Sequence, residues 1–414
     1  MNRKSILYIS YDGMTDPLGQ SQVLPYLSGL AANGYQISLI SAEKPGNFKE
    51  QRTHIEHICE KNGIEWHPLP YTRRPPVIST LFDLWSIRNK ANALYRKKKF
   101  SLVHCRSYLP GLIGLYMKRK FKIPFLFDMR GFWVDEKIDG NIWNMNNPLF
   151  RLIFTYMKRM EKTLFREADA VVSLTHKACP MIHRIMGSAY PEKFIQVIPC
   201  CVDVHHFNPD IVPSAAADFW REKLRLNDTY FVLSYLGSLS TWYLPVHMLQ
   251  FFQSFRKKTP QAIFLIITTE DSKPFLSMAD SLGIPRESLR IVSAKRSEVP
   301  VLLSLSHASV FFIKPAFSKI ASSPTKLGEI LSMGLPVICN TGIGDTDEIV
   351  LKSETGVICH SFDEEEYFSK TETLHAILQL KSKDEIRSKA IEYFSLEHGV
   401  HCYLEVYRKL LHQE

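Results

Sequence analysis

One feature constrains this chain more than any other. Strand-sized apolar runs alternate with amphipathic helical stretches from one end to the other, which is the pattern of βαβ units and parallel sheets. In the first half the runs fall at residues 6–10, 37–41, 102–104, 124–128 and 170–174, with a helix over 22–32 among those between them. In the second half they fall at 231–236, 262–268, 289–292, 308–313 and 336–339. The chain is therefore α/β twice over. The segment Val197-Ile198-Pro199-Cys200-Cys201-Val202-Asp203, followed by Phe207-Asn208-Pro209-Asp210, closes the first series. We place one domain over 1–205 and a second over 206–395. Apolar residues at helical spacing near the end make 396–414 a helix that can lie back across the first domain.

Composition narrows the class. A chain of 414 residues that is 45% hydrophobic buries a large core, and its length suits two domains. No apolar run approaches the roughly 18 residues of a membrane span, and residues 1–10 are too short and too strand-like for a signal peptide, so a cytoplasmic protein is expected. Eight cysteines without a CxxC pair fit neither a zinc site nor a disulfide framework. Charge is uneven: residues 1–210 hold 29 Lys and Arg against 18 Asp and Glu, a surplus of 11, while the remainder is at −2. The clusters Arg96-Lys97-Lys98-Lys99 and Lys118-Arg119-Lys120 suit an anionic partner or a solvated face. They lack the interleaved aromatic motifs of nucleic-acid-binding modules, so no nucleic acid is expected.

Chemistry concentrates where strands run into helices. The first strand ends in Tyr11-Asp12-Gly13-Met14-Thr15-Asp16-Pro17-Leu18-Gly19-Gln20-Ser21-Gln22. Glycines such as Gly19, with small polar residues ahead of a helix, offer backbone N–H groups to an anion or form an ordinary turn. The spacing is not G-x-G-x-x-G, so the dinucleotide fingerprint is absent. Gly237-Ser238-Leu239-Ser240-Thr241 repeats the pattern, as does Asn340-Thr341-Gly342-Ile343-Gly344-Asp345. Between them lies Ser322-Ser323-Pro324-Thr325-Lys326-Leu327-Gly328-Glu329, where Ser and Thr can cap a helix and Lys326 can meet a phosphate. Glu329, one turn inside that helix, can accept two hydrogen bonds from a ribose diol or simply face solvent. Three such turns in one domain lie where open α/β sheets bind ligands.

Asp128 ends a buried apolar strand. Arg130, two residues on, can bind a phosphate or pair with Asp135 or Glu136. His104, Arg106 and Ser107 close a neighbouring strand and are candidates for an acceptor site. At 100° per residue, Arg151, Lys158, Arg159, Lys162 and Arg166 share one helix face, and Leu152, Ile153, Tyr156, Met157, Met160 and Leu164 the other. Such a helix either packs its apolar face on the core or turns its basic face to anionic lipid.

The run from Ser322 to Ile338 resembles the donor-binding motif of retaining glycosyltransferases of family 4, which have the GT-B architecture of two Rossmann-like domains facing each other across a cleft. The linker Val197 to Phe207 is similar to that family's hinge, and Asp16 to Gln22, Gly237 and Phe127-Asp128-Met129-Arg130-Gly131-Phe132-Trp133 also fit. The resemblance implies transfer of a sugar from a nucleotide diphosphate donor to a hydroxyl, with retention. It implies an acceptor such as a cell-envelope polysaccharide, a glycan or a lipid-linked saccharide, with the first domain peripheral on the membrane. Glu329 would hold the ribose, Ser322, Ser323 and Thr325 the diphosphate or sugar, and Asp128 and Arg130 would lie near the reacting carbon. Two departures stand out. Ala321 replaces the glutamate usual eight positions before Glu329, and the usual Arg and Lys are missing after Gly237, which leaves Lys326 as the replacement charge. Without an Asp-x-Asp pair at a strand end suited to a divalent cation, no metal and no cofactor beyond the donor are expected. A nucleotide-sugar epimerase of the same fold and a non-catalytic nucleotide-sugar-binding homologue are the alternatives.

Overall fold

The computed structural model describes residues 4–190 and 194–412. The chain forms two compact units, one of residues 1–200 with 396–414 and the other of residues 201–395. The division thus falls within the Cys200-Cys201 pair and recurs between Ser395 and Leu396.

The first unit holds seven parallel strands: β1 (Ser5–Ser10), β2 (Gln36–Glu43), β3 (Ile64–Pro70), β4 (Leu102–Arg106), β5 (Phe125–Asp128), β6 (Ala170–Ser173) and β7 (Ile195–Val197). They lie in the order β3-β2-β1-β4-β5-β6-β7. The second unit holds six more: β8 (Phe231–Leu236), β9 (Ala262–Ile267), β10 (Leu289–Val292), β11 (Ala308–Phe311), β12 (Val337–Asn340) and β13 (Gly356–Cys359). Their order is β10-β9-β8-β11-β12-β13, so both sheets are doubly wound, with the order reversing between β1 and β4 and between β8 and β11. Inner strands such as β1, β4, β5 and β9 are buried along their whole length, because crossover helices cover both sheet faces.

Three edge strands escape the apolar-run criterion. β3 reads IEWHPLP, with Glu65 and His67 interrupting the apolar run and two prolines, which an edge tolerates because one side of its ladder is unpaired. β7 has three residues, and β13 has four behind a polar approach. The helix expected over 22–32 is broken at Val23 into Pro17–Gln22 and Leu24–Ala32. Helix Pro148–Glu167 departs from its expected faces: Lys158 turns inward to Asp135 (2.9 Å) and Glu161, while Leu152 and Tyr156 are exposed.

The last helix, Leu396–Leu410, belongs to the first unit and packs on helix Leu24–Ala32. Tyr403 meets Tyr26 edge-on (5.5 Å) and Tyr407 meets Tyr35 (5.1 Å). Among the described residues no helix is long and apolar enough to cross a membrane, and all eight cysteines are free thiols.

Candidate donor site and its counterpart in the first unit

In the second unit the loops after β8, β9, β10, β11 and β12 converge at the carboxyl edge of the sheet. Gly237 follows β8 with φ at +123°, and a Cβ there would lie 2.7 Å from Lys326 Nζ. The conformation favours glycine, and a larger residue would also displace the lysine tip. Lys326 lies in the first turn of helix Thr325–Ser332, buried among the rings of Tyr243 (3.7 Å), Tyr235 (4.5 Å) and Phe311 (5.7 Å). Its Nζ donates to Tyr235 Oη at 3.3 Å. Burial pushes the Lys326 ammonium down to about 7, against the pull of the Glu329 carboxylate. Glu329 is also buried and pairs with Arg296 Nη1 at 3.1 Å. Arg296 in turn lies over the Phe207 ring at 5.4 Å.

The 322–325 segment is half-buried. Pro324, rather than a serine or threonine, occupies the N-cap position of helix Thr325–Ser332, and its side chain makes no cap. Ala321 is fully buried in the short 3-10 helix Phe317–Ala321. That helix also carries Lys319, whose Nζ lies 3.6 Å from the Trp242 ring. Lys319 is thus a second buried lysine, seven residues before Lys326, that the motif alone does not single out.

The loop after β8 is not empty of anions. Glu270, three residues beyond β9, accepts from the Ser238 hydroxyl, from Leu239 N at 2.8 Å and from Ser240 Oγ at 3.0 Å. Those hydrogen bonds outweigh partial burial and hold its carboxyl below the usual range. After β12, Asp347 accepts from Thr341 Oγ1 (2.7 Å) and Gly342 N (3.4 Å).

The same arrangement stands in the first unit. Glu43, the last residue of β2, accepts from Met14 N (2.7 Å), Thr15 N (3.0 Å), Thr15 Oγ1 and Ser41 Oγ (both 2.5 Å). The N–H groups expected to await a phosphate after β1 are therefore taken by the protein's own carboxylate. Gly19 is needed there for packing, since a Cβ would come 2.1 Å from Gly13 O.

Beside that loop the ends of β4 and β5 form a buried polar cluster. Arg106 Nε donates to Asp12 at 3.1 Å, and Ser107 (φ +70°) donates its N–H to Asp128 O at 2.7 Å. Asp128 accepts from Tyr403 Oη at 2.8 Å, and His104 Nδ1 meets Tyr407 Oη at 2.8 Å. Arg130 pairs with neither Asp135 nor Glu136: Lys158 takes Asp135, and the polar contacts of the guanidinium are Cys200 Sγ (3.3 Å), Gln22 Oε1 (3.4 Å) and Asp128 Oδ1 (3.9 Å). Burial would raise the Asp128 carboxyl, but Arg130, His104 and Arg106 outweigh it and hold it below the usual range; burial lowers His104. Arg130 Nε and Nη1, Arg106 Nη1, His104 Nε2 and Asp128 Oδ1 lack hydrogen-bond partners. Asp128 has no exposed surface, because helix Leu396–Leu410 covers the strand end on which the sequence reading placed it.

Residues 21–206 match the family model Glycosyltransferase Family 4, and residues 216–393 match Glycosyl transferases group 1. The chain belongs to the family-4-type glycosyltransferases of GT-B architecture. No curated protein is found to match it. Among solved structures, a glycosyltransferase from Rickettsia africae ESF-5 superposes with a TM-score of 0.72 at 17% identity over 100% of both chains. Anabaena HepE in complex with UDP and glucose gives 0.67 at 11% identity, covering 97% of this chain and 98% of that one. WaaG, a glycosyltransferase involved in lipopolysaccharide biosynthesis, gives 0.66 at 13%, covering 95% and 97%. At these identities the likeness speaks for the fold.

Proposed function

We propose that the second unit binds a nucleoside diphosphate sugar and that the enzyme transfers the sugar to a hydroxyl with retention of configuration. One observation carries the reading: Lys326 is enclosed against Gly237 at the β8/β11 reversal, with Glu329 one turn further along the same helix. HepE structures hold UDP and UDP-glucose, which supports a donor of this class.

Glu329 accepts from the ribose hydroxyls, exchanging Arg296 for them, and Arg296 then lies beside the base. The diphosphate lies along the first turn of helix Thr325–Ser332, where N–H groups and the helix dipole favour an anion. Ser322, Ser323 and Thr325 add hydroxyl donors. Lys326 takes up a proton as the diphosphate arrives, because a neighbouring dianion stabilises its ammonium form. Glu270 gives up Ser238 and Leu239 to a phosphate oxygen. As the glycosidic bond breaks, charge grows on the departing diphosphate, and these preorganised donors stabilise it without a metal. The acceptor hydroxyl then attacks from the face the leaving group vacates and passes its proton to the departing diphosphate oxygen.

On the first unit, Arg130 offers guanidinium charge to the acceptor. Enclosed Asp128 acts as a positioning residue that holds Arg130 and Tyr403, rather than touching the reacting carbon. A lipid-linked saccharide on an anionic membrane is the acceptor that fits the surplus of 11 positive charges in residues 1–210.

The test is calorimetric titration of the whole protein with nucleoside diphosphates and their sugars, followed by transfer assays on a lipid extract. Selective binding with turnover supports the reading. Binding with interconversion of free nucleotide sugars shifts it to an epimerase, and binding without turnover to a non-catalytic homologue.

A further inference from the structure

The helix Ile78–Lys97 in the first unit buries one face and leaves another bare. Ser79, Asp83, Ile87, Ala91 and Leu94 turn inward. On the outer face Ile78 is 65% exposed, Leu81 61%, Phe82 56% and Trp85 54%. Their spacing of three, four and seven residues puts them on one stripe, and the rings of Phe82 and Trp85 stack at 5.9 Å. Four large apolar side chains in two turns make a patch that a water-soluble surface rarely carries without a use.

What surrounds the stripe identifies its partner. From Arg73 to Lys99 the sequence has eight basic residues and a single acid. That acid, Asp83, is turned into the protein, accepting from Tyr11 Oη (2.8 Å) and Thr72 N (3.1 Å). Arg73 and Arg74 stand exposed just ahead of the stripe, and Arg88 stands exposed one turn beyond Trp85. The helical layer continues through Tyr108–Phe121, with Arg119 exposed, to Pro148–Glu167, where Leu149 and Leu152 are exposed beside Arg151 and Arg159. An apolar stripe with aromatic rings and a cationic border suits the boundary between acyl chains and anionic headgroups. A second copy of this chain would bring like charges together around the stripe, at an electrostatic cost.

We infer that the outer face of helix Ile78–Lys97, with Phe82 and Trp85 as its anchors and Arg73, Arg74 and Arg88 as its charge contacts, docks the protein on an anionic lipid bilayer. The inference rests on the membrane-side reading of the first unit and is independent of the donor chemistry. Flotation of the full chain with vesicles tests it. The wild type should bind phosphatidylglycerol-containing vesicles about tenfold or more tightly than pure phosphatidylcholine, with binding reduced by salt. Phe82→Ser with Trp85→Ser should lower binding about tenfold, and Arg73→Glu with Arg74→Glu should erase the lipid-charge preference, both with unchanged melting temperature and nucleotide affinity. Equal binding by wild type and the aromatic double variant would overturn the docking face alone. No binding of the wild type to anionic vesicles would overturn the membrane reading too, and nucleotide titration of the same sample would show whether the donor site still stands. A dimer in lipid-free solution that the double variant abolishes would assign the stripe to a second copy instead.

Discussion

The two sheets share a strand order and share a device at their points of reversal. In each, the loop after the first strand is filled by a carboxylate from the end of the neighbouring strand, Glu43 in the first unit and Glu270 in the second. The difference lies in burial and in the number of donors. Glu43 is enclosed and accepts from two backbone N–H groups and two hydroxyls, whereas Glu270 is part-exposed and accepts from one N–H and two hydroxyls. One frame therefore carries a permanent internal anion and a part-exposed one that, on the proposed reading, exchanges with a ligand. On that reading ligand binding follows from how easily the occupant leaves, since both loops have the glycines and hydroxyls an anion requires.

Breaking the permanent member should have the largest effect. Glu43→Ala leaves Met14 N, Thr15 N and two hydroxyls without an acceptor, at about 1–3 kcal/mol for each buried group so stranded. A loss of about 3 kcal/mol or more is expected in urea unfolding, and a loss below 1 kcal/mol would mean that water replaces the carboxylate. Next come the residues proposed to hold the donor in the second unit. Glu329→Ala should weaken nucleoside diphosphate binding at least tenfold, about 1.4 kcal/mol, with little change in melting temperature; an unchanged affinity would remove the ribose assignment. Lys326→Met keeps the volume of a side chain already among aromatic rings, so stability should hold while diphosphate affinity falls about tenfold.

Titration of Lys326 sharpens the comparison further. Its folded value, about 7, lies below the ordinary lysine value, so the unfolded chain binds the extra proton between those two values. Its contribution to stability therefore rises with pH across that interval, and below about pH 7 the cost of the buried ammonium is complete. Diphosphate binding should run the other way, weakening as pH rises above about 7, with proton uptake visible as buffer-dependent heats in calorimetry. Lys326→Met should abolish both slopes; slopes retained in that variant would assign them to another group. The smallest effect belongs to the exchangeable acid. Glu270→Ala should cost under about 1 kcal/mol in stability and tighten nucleoside diphosphate binding about threefold to tenfold, because a part-exposed contact contributes little and its competition is removed. Weaker binding would mean that Glu270 orders the loop for the donor instead of competing with it.

Much of this molecule is legible in its sequence because parallel sheets are buried on both faces and their inner strands appear as apolar runs. β8 and β10 match their expected ranges residue for residue. β3 does not appear, because an edge strand can carry Pro68 and Pro70 without losing a buried ladder. The loops of the site are legible through glycine and hydroxyl composition. What fills them is not: Glu43 lies 29 residues from Met14 and Glu270 lies 32 from Ser238, and a lone acid near a strand end carries no local mark. The final helix shows its period, yet nothing local reveals that Tyr403 reaches Asp128 across 275 residues. Lys319 was within reach, since the buried turn that contains it adjoins the motif.

The return of the chain at Leu396 has a consequence for how the protein is made. Residues 201–395 form an uninterrupted unit, whereas the first unit needs Tyr403 and Tyr407 to satisfy Asp128 and His104. On the ribosome, the second unit can therefore close its core while the first, though synthesised earlier, still waits for its last helix. The half that begins the chain finishes folding last, and a stop codon shortly before Leu396 would leave that half with an uncovered Asp128 and a target for proteolysis, although the other half had been synthesised in full.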